Sequence, residues 1–89
     1  MRLVFAERAW EDYLYWQASE PNTLARVNQL IRECLRSPFT GMGKPEPLRG
    51  DLHGWWSRRI TLEHRLVYRL AGKGAAQQLE IAQCRFHYG

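Results

Sequence analysis

From residue 38 to residue 54 the chain reads PFTGMGKPEPLRGDLHG, a run holding three of its four prolines and four of its seven glycines. Neither a helix nor a central strand survives that density of breakers. The run therefore divides the chain in two. Before it, apolar residues recur at helical spacing; after it, they alternate. Helices and strands segregated in this way make an α+β domain. A connection this long in a small domain is functional or disordered, and Phe39, Leu48 and Leu52 are apolar anchors for an ordered one.

RLVFA at 2–6 reads as a short strand. ERAWEDYLYWQ at 7–17 has helical spacing, with Ala9, Trp10, Tyr13, Leu14 and Gln17 on the side expected to face inward. Glu7, Glu11 and Asp12 suit the N-terminal end of that helix. Pro21 fits the first turn of a second helix. That helix carries Leu24, Val27, Ile31, Cys34 and Leu35, and it should stop at Ser37 because Pro38 follows. Beyond the breaker-rich run, WWSRRI (55–60), HRLVYRL (64–70) and QLEIAQCRFHY (78–88) read as strands. The short turns between them make an antiparallel meander. The expectation is one domain over 1–89, ordered β-α-α-β-β-β. Its helical hairpin would lie on one face of a mainly antiparallel, twisted sheet.

No apolar run reaches the 18 residues of a membrane span, and the N-terminus lacks the series of a signal peptide. A cytoplasmic location with no membrane partner is expected. Cys34 and Cys84 both fall among apolar neighbours and read as buried free thiols. With three scattered histidines they offer no metal-ligand spacing, so neither a metal nor another cofactor is expected. The net charge is +4, and eleven of the thirteen basic residues are arginine. Arginine presents a planar fork to phosphate and stacks on bases.

Strand alternation decides where those arginines point. If the even positions His64, Leu66, Tyr68, Leu70, Ala82, Cys84 and Phe86 pack on the helices, the other face carries Arg59, Arg65, Arg69, Arg85 and His87. A solvated basic face explains this set as well as an anion-binding one does. Glu46 sits between Pro45 and Pro47, on a segment stiffened by two fixed φ angles and flanked by Lys44 and Arg49. Alone it is a carboxylate on a rigid exposed loop. A carboxylate, several guanidinium groups and a histidine are nevertheless the parts of metal-free phosphodiester cleavage. One group takes a proton, one gives a proton, and fixed positive charge stabilises the transition state.

The run PFTGMGKPEPLRGDLHGWWSRRITLEHRLVY, together with CRFHY and with EDYLYWQ in the first helix, resembles the YoeB/Txe toxins of bacterial type II toxin–antitoxin systems, within the RelE/ParE superfamily. The resemblance implies a RelE-like fold and ribosome-dependent cleavage of mRNA in the A site. It implies Glu46 as general base on a ribose 2′-OH, Arg65 as the charge against the phosphate and His87 as general acid. Tyr88 would orient or stack the substrate, with Lys44 and Arg59 adding positive field. Arg49 and Arg85 join them as candidate substrate contacts. Phe86, Met42 and Trp55 depart from residues frequent in the family without removing a member of that set.

The implied partners are a cognate YefM/Axe-type antitoxin, the 70S ribosome with its mRNA, and a second copy in a homodimer. Operator DNA would be met only through the antitoxin complex. A ParE-like inhibitor of DNA gyrase and a non-catalytic nucleic-acid-binding module are the alternatives the same fold allows.

Overall fold

The computed structural model describes residues 1–87. Its elements are β1 (Arg2–Phe5), α1 (Glu7–Ser19), α2 (Pro21–Arg36), β2 (Glu46–Pro47), β3 (Trp56–Arg59), β4 (Arg65–Ala71) and β5 (Gln78–Gln83), with short 3₁₀ turns at Gly50–Leu52 and Gly74–Ala76. The strands form one sheet in the order β1-β5-β4-β3-β2. β1 runs parallel to β5, and the remaining neighbours are antiparallel. The α+β architecture matches the sequence reading.

Glu20 alone separates the two helices. Its φ of −144° and ψ of 80° break the first helix, while its carbonyl accepts the N–H of Leu24 in the second. Pro21 opens α2, where its missing N–H costs nothing. α2 buries Val27, Leu30, Ile31 and Cys34, one stripe at three- and four-residue steps. They meet Leu66, Tyr68, Leu79 and Ile81 of the sheet. Fully burying one such aliphatic side chain stabilises the fold by roughly 1.5–3 kcal/mol.

α1 presents a face only partly the one its apolar spacing predicts: Ala9 is buried and Tyr13 packs against the core as expected, but the rest of the face is shifted. Ala9, Asp12 and Trp16 are buried, whereas Trp10, Leu14 and Gln17 are exposed. Trp10 stacks on Tyr13 at 5.6 Å and meets the ring of Phe5 edge-on at 5.9 Å, an aromatic cluster at the rim. Asp12 turns inward because it has a buried partner, the backbone N–H of Cys84.

Two further expectations are corrected. Glu46 and Pro47 were expected in a loop; they pair with Ser57 and Trp56 as a two-residue edge strand. The last strand was expected to run to residue 88, but it ends at Gln83. A register shift lies at that end. Val67 opposes Gln83, while its neighbour Tyr68 opposes Ile81. Ala82 is thus the extra residue of a bulge, which bends the strand.

Arg58 is the largest fully buried side chain, at 0% exposure. Pairing with Leu66 sets it on the helix-facing side of the sheet. Its guanidinium donates to the carbonyls of Met42 (2.8 Å), Thr40 (3.0 Å) and Ser37, and its Nε donates to the Tyr68 hydroxyl at 3.2 Å. That hydroxyl donates in turn to the carbonyl of Pro38 at 2.6 Å. Burial pushes the Tyr68 phenol up to about 12, so it keeps the proton it donates. One cation thereby satisfies the backbone of the connection between α2 and β2.

Replacing Arg58 by Leu strands several buried acceptors at once, and each such loss costs about 1–3 kcal/mol. We expect Arg58→Leu to lower unfolding stability by about 3 kcal/mol or more, read from the shift in urea midpoint. A loss under about 1 kcal/mol would mean that those carbonyls find other partners.

Candidate active site on the open face of the sheet

Residues directly opposite in an antiparallel ladder share a face. Glu46, Ser57, Val67 and Gln83 therefore form one row across the sheet, on the side away from the helices. Arg59 and Arg65 form a second row beside it. Val67 and Leu48 are buried although neither belongs to the main core cluster. Leu48 is brought to this face by the bond from its N–H to the Trp55 carbonyl. The segment after β2 thus folds back over the row, and its Gly50–Leu52 turn reaches the end of β5.

The turn and the end of β5 enclose a cleft of 480 Å³, lined by Arg8, Arg49, Asp51, Leu52, Gln83 and His87. Arg49 and His87 are thereby brought together. Glu46 stands at the opposite end of the Gln83 row, three strand spacings or roughly 14 Å away along the sheet.

Each remaining candidate has its own setting. Lys44 is exposed and adopts a φ of 52°, a left-handed backbone uncommon outside glycine. The preceding Gly43 leaves little room: a Cβ there would come within 2.9 Å of Leu30 and 3.2 Å of Arg58. Its carbonyl accepts the Arg59 N–H at 2.7 Å. These contacts aim the chain through Lys44 and Pro45 into Glu46. Arg59 is exposed. Arg65 is only 8% exposed, and its Nη1 donates to the carbonyls of Thr61, Leu62 and His64. Those bonds fix the guanidinium at the mouth of the β3–β4 turn.

The predicted basic face is smaller than alternation implied. Arg69 does lie on it, but its Nε pairs with Glu80 at 2.6 Å and its guanidinium sits 4.3 Å from the centre of the Trp55 ring. Hydrogen bonds from Arg69 and then Gln78 hold the Glu80 carboxyl below the usual range. Arg85 leaves the face altogether. Beyond the bulge its guanidinium stacks 3.4 Å from the centre of the Tyr15 ring on α1 and 4.4 Å from that of Phe86. Tyr88, expected beside His87, lies outside the described residues.

What orders the approach to His87 was missed in the sequence. Asp12 accepts the Cys84 N–H at 3.0 Å, and the indole of Trp16 donates to the Cys84 carbonyl at 2.7 Å. Both backbone groups of Cys84 are thus held by α1 rather than by a neighbouring strand. Gln83 and Arg8 donate to the next carbonyl, that of Arg85, at 3.1 and 3.5 Å. Phe86 then turns left-handed, with φ 67°. Its N–H donates to His64 Nδ1 at 2.7 Å and its carbonyl accepts the Arg65 N–H at 3.0 Å. A buried aspartate mid-helix carries no signal without knowledge of the strand end it meets.

Among the described residues no three His, Cys, Asp or Glu side chains gather closely enough to hold a metal ion. Among them, too, no helix is long and apolar enough to cross a membrane.

Comparison with known proteins agrees with this architecture over nearly its whole length. Residues 5–88 match the family model of the YoeB-like toxin of bacterial type II toxin–antitoxin systems. Toxin YoeB of Escherichia coli K12 is 50% identical over 88 residues, covering 99% of this chain and 100% of its own. The solved YoeB/ParE toxin from Agrobacterium tumefaciens superposes with a TM-score of 0.96 at 55% identity, covering 99% of this chain and 100% of its own. YoeB of Staphylococcus aureus, 37% identical, has been solved as a dimer, with a TM-score of 0.87, and in complex with YefM, with a TM-score of 0.86. Each of these two covers 99% of this chain and 98% of its own.

The two thiols give a test of how tightly α1 and α2 close over the sheet. Both are free and buried. Burial pushes Cys34 up to about 11. Burial, with the Asp12 carboxylate adding to it, pushes Cys84 up to about 12. The reactive thiolate is therefore scarce at pH 8. We expect native protein at pH 8 to resist iodoacetamide at both positions, with full alkylation in urea, as read by mass spectrometry. Rapid native labelling of Cys84 would show that the α1 clamp opens readily.

Proposed function

Since the chain belongs to the family of YoeB-like toxins of bacterial type II toxin–antitoxin systems, we propose that it is an endoribonuclease that cuts mRNA on the ribosome. The reaction is an internal transesterification. The Glu46 carboxylate takes the proton of a ribose 2′-OH, and that oxygen attacks the adjacent phosphorus. Arg65 and Arg59 stabilise the negative charge that builds on the phosphoryl oxygens. His87, as imidazolium, gives a proton to the departing 5′ oxygen. The products are a 2′,3′-cyclic phosphate and a 5′-hydroxyl. Lys44 and Arg49 supply positive field along the path of the backbone, and Tyr88 stacks on or orients the substrate. Arg85, committed to two aromatic rings, supports the terminal segment instead of touching the message.

The observation that carries this reading is the shared open face. A proline-braced carboxylate, a pair of facing arginines and a cleft bearing His87 come there from segments far apart in sequence. A message threaded between the β2 edge and the cleft would run alongside the arginine pair. No cofactor enters the scheme. The chain acts as one domain in the cytoplasm, pairs with a second copy, and is restrained by a YefM-type antitoxin. The Staphylococcus aureus relative is solved in both of those assemblies. The antitoxin complex, and not the toxin alone, would engage operator DNA.

The test uses programmed 70S ribosomes carrying a defined message. The expected result is a single cut in the A-site codon with a cyclic phosphate on the upstream fragment. Glu46→Gln and His87→Gln should each slow cleavage by roughly 10²–10⁴-fold with melting temperature unchanged. An intact message with the unaltered protein, together with inhibited gyrase supercoiling, would replace this reading by the ParE-like one. Variants that cut at the original rate would remove Glu46 and His87 from their roles.

A further inference from the structure

The geometry points to His64 as a positioning residue for His87, acting through the backbone of Phe86; this role rests on the reading of His87 as the general acid. Phe86 is the pivot. It is an aromatic residue in the left-handed region, at φ 67°, where side chains other than glycine are uncommon. Such a conformation persists only when its surroundings fix it. Two bonds fix this one. The Arg65 N–H donates to the Phe86 carbonyl at 3.0 Å, and the Phe86 N–H donates to His64 Nδ1 at 2.7 Å. The first is an ordinary backbone bond that almost any residue at 65 could make. The second depends on a side-chain acceptor at one place.

His64 is built to be that acceptor. Its backbone N–H donates to Thr61 Oγ1 at 3.2 Å, and its carbonyl takes the N–H groups of Ile60 and Thr61 and Arg65 Nη1 at 3.1 Å. Its ring meets the indole of Trp16 edge-on, with centroids 4.8 Å apart, and tilts against Phe86 at 5.9 Å. Trp16 is the residue that grips the Cys84 carbonyl. The imidazole thus sits in the angle between α1, the β3–β4 turn and the terminal segment. A backbone N–H pointing at Nδ1 requires a lone pair there, so the ring carries its single proton on Nε2. The same turn holds Arg65. His64 therefore ties the group facing the phosphate to the segment bearing the acid, and sets their spacing. A displacement of about 1 Å in such a pair can cost about 10²-fold in rate.

The experiment compares His64→Leu, which keeps bulk and loses the acceptor, with His64→Asn, whose Oδ1 falls near the position of Nδ1. Both are first checked for melting temperature. His64→Gln, with its acceptor one carbon too far out, replaces the Leu variant if that one is unfolded. On programmed ribosomes, H64L should lose about 10- to 100-fold in kcat with KM nearly unchanged, and H64N should regain most of the loss. In amide exchange followed by NMR, the Phe86 N–H should be protected in the unaltered protein and in H64N and should exchange fast in H64L. Wild-type kcat in H64L, or no difference between H64N and H64L, overturns the assignment. If the unaltered protein cuts no message, the ribonuclease reading fails. Exchange at Phe86 then still decides whether His64 holds the segment, and equal protection in all three proteins would overturn it.

Discussion

A buried cation holds the connection between the two halves of this molecule. Arg58 has no exposed surface, and carbonyl oxygens and a phenol receive its protons. Burying a guanidinium is costly unless its donors are satisfied. Here that requirement dictates the path of residues 37–43, because the chain must bring successive carbonyls to one point. The tight passage at Gly43 and the left-handed Lys44 follow from it. Glu46 then emerges beside Ser57, paired and facing the open side. The position of the candidate base is thus set from beneath the sheet, by a residue that never reaches the surface.

The opposite edge of the site is organised on another principle. Among the described residues β5 ends at Gln83, and beyond it the chain is held by side chains from α1 and the β3–β4 turn together with one backbone bond from Arg65 at the start of β4. Asp12 and Trp16 occupy the two backbone groups of Cys84, and His64 and Arg65 those of Phe86. The bulge at Ala82 makes this possible, because it turns the strand out of the ladder. One end of the site is rigid through a buried charge and the other through four bonds to backbone groups. Both depend on the same sheet, and its central strands β4 and β5 contribute the core residues Leu66, Tyr68, Leu79 and Ile81.

Much of this was legible in the residues. The helical hairpin followed from Pro21, the breakers and the apolar stripe of α2. Strand parity placed Arg59 and Arg65 together on one face, as the register has them. Arg58 was not singled out, although the same parity sets it inward and a charged residue forced inward in a strand was the available sign of a buried hub. Other features were illegible for physical reasons. EP between prolines reads as loop because its pairing comes entirely from β3. CRFHY alternates like a strand, yet Asp12 and Trp16 outcompete the ladder for Cys84. Parity fails across β5, where Leu79 and Ile81 point inward and the bulge shifts the register before Gln83. The face of α1 was misjudged because Trp10 is more apolar than Asp12, and only a partner far along the chain makes the aspartate the inward residue.

The strand order has a consequence for biosynthesis. β1 has one neighbour in the sheet, β5, and the register joins Arg2 to Gln78. While the chain is being translated, β1 therefore waits without a partner until residues 78–83 have left the exit tunnel. The cleft lined by Gln83 and His87 cannot assemble before then either. The pairing of β1 and the closing of that cleft thus arrive together, in one late, long-range closure of the kind that slows folding.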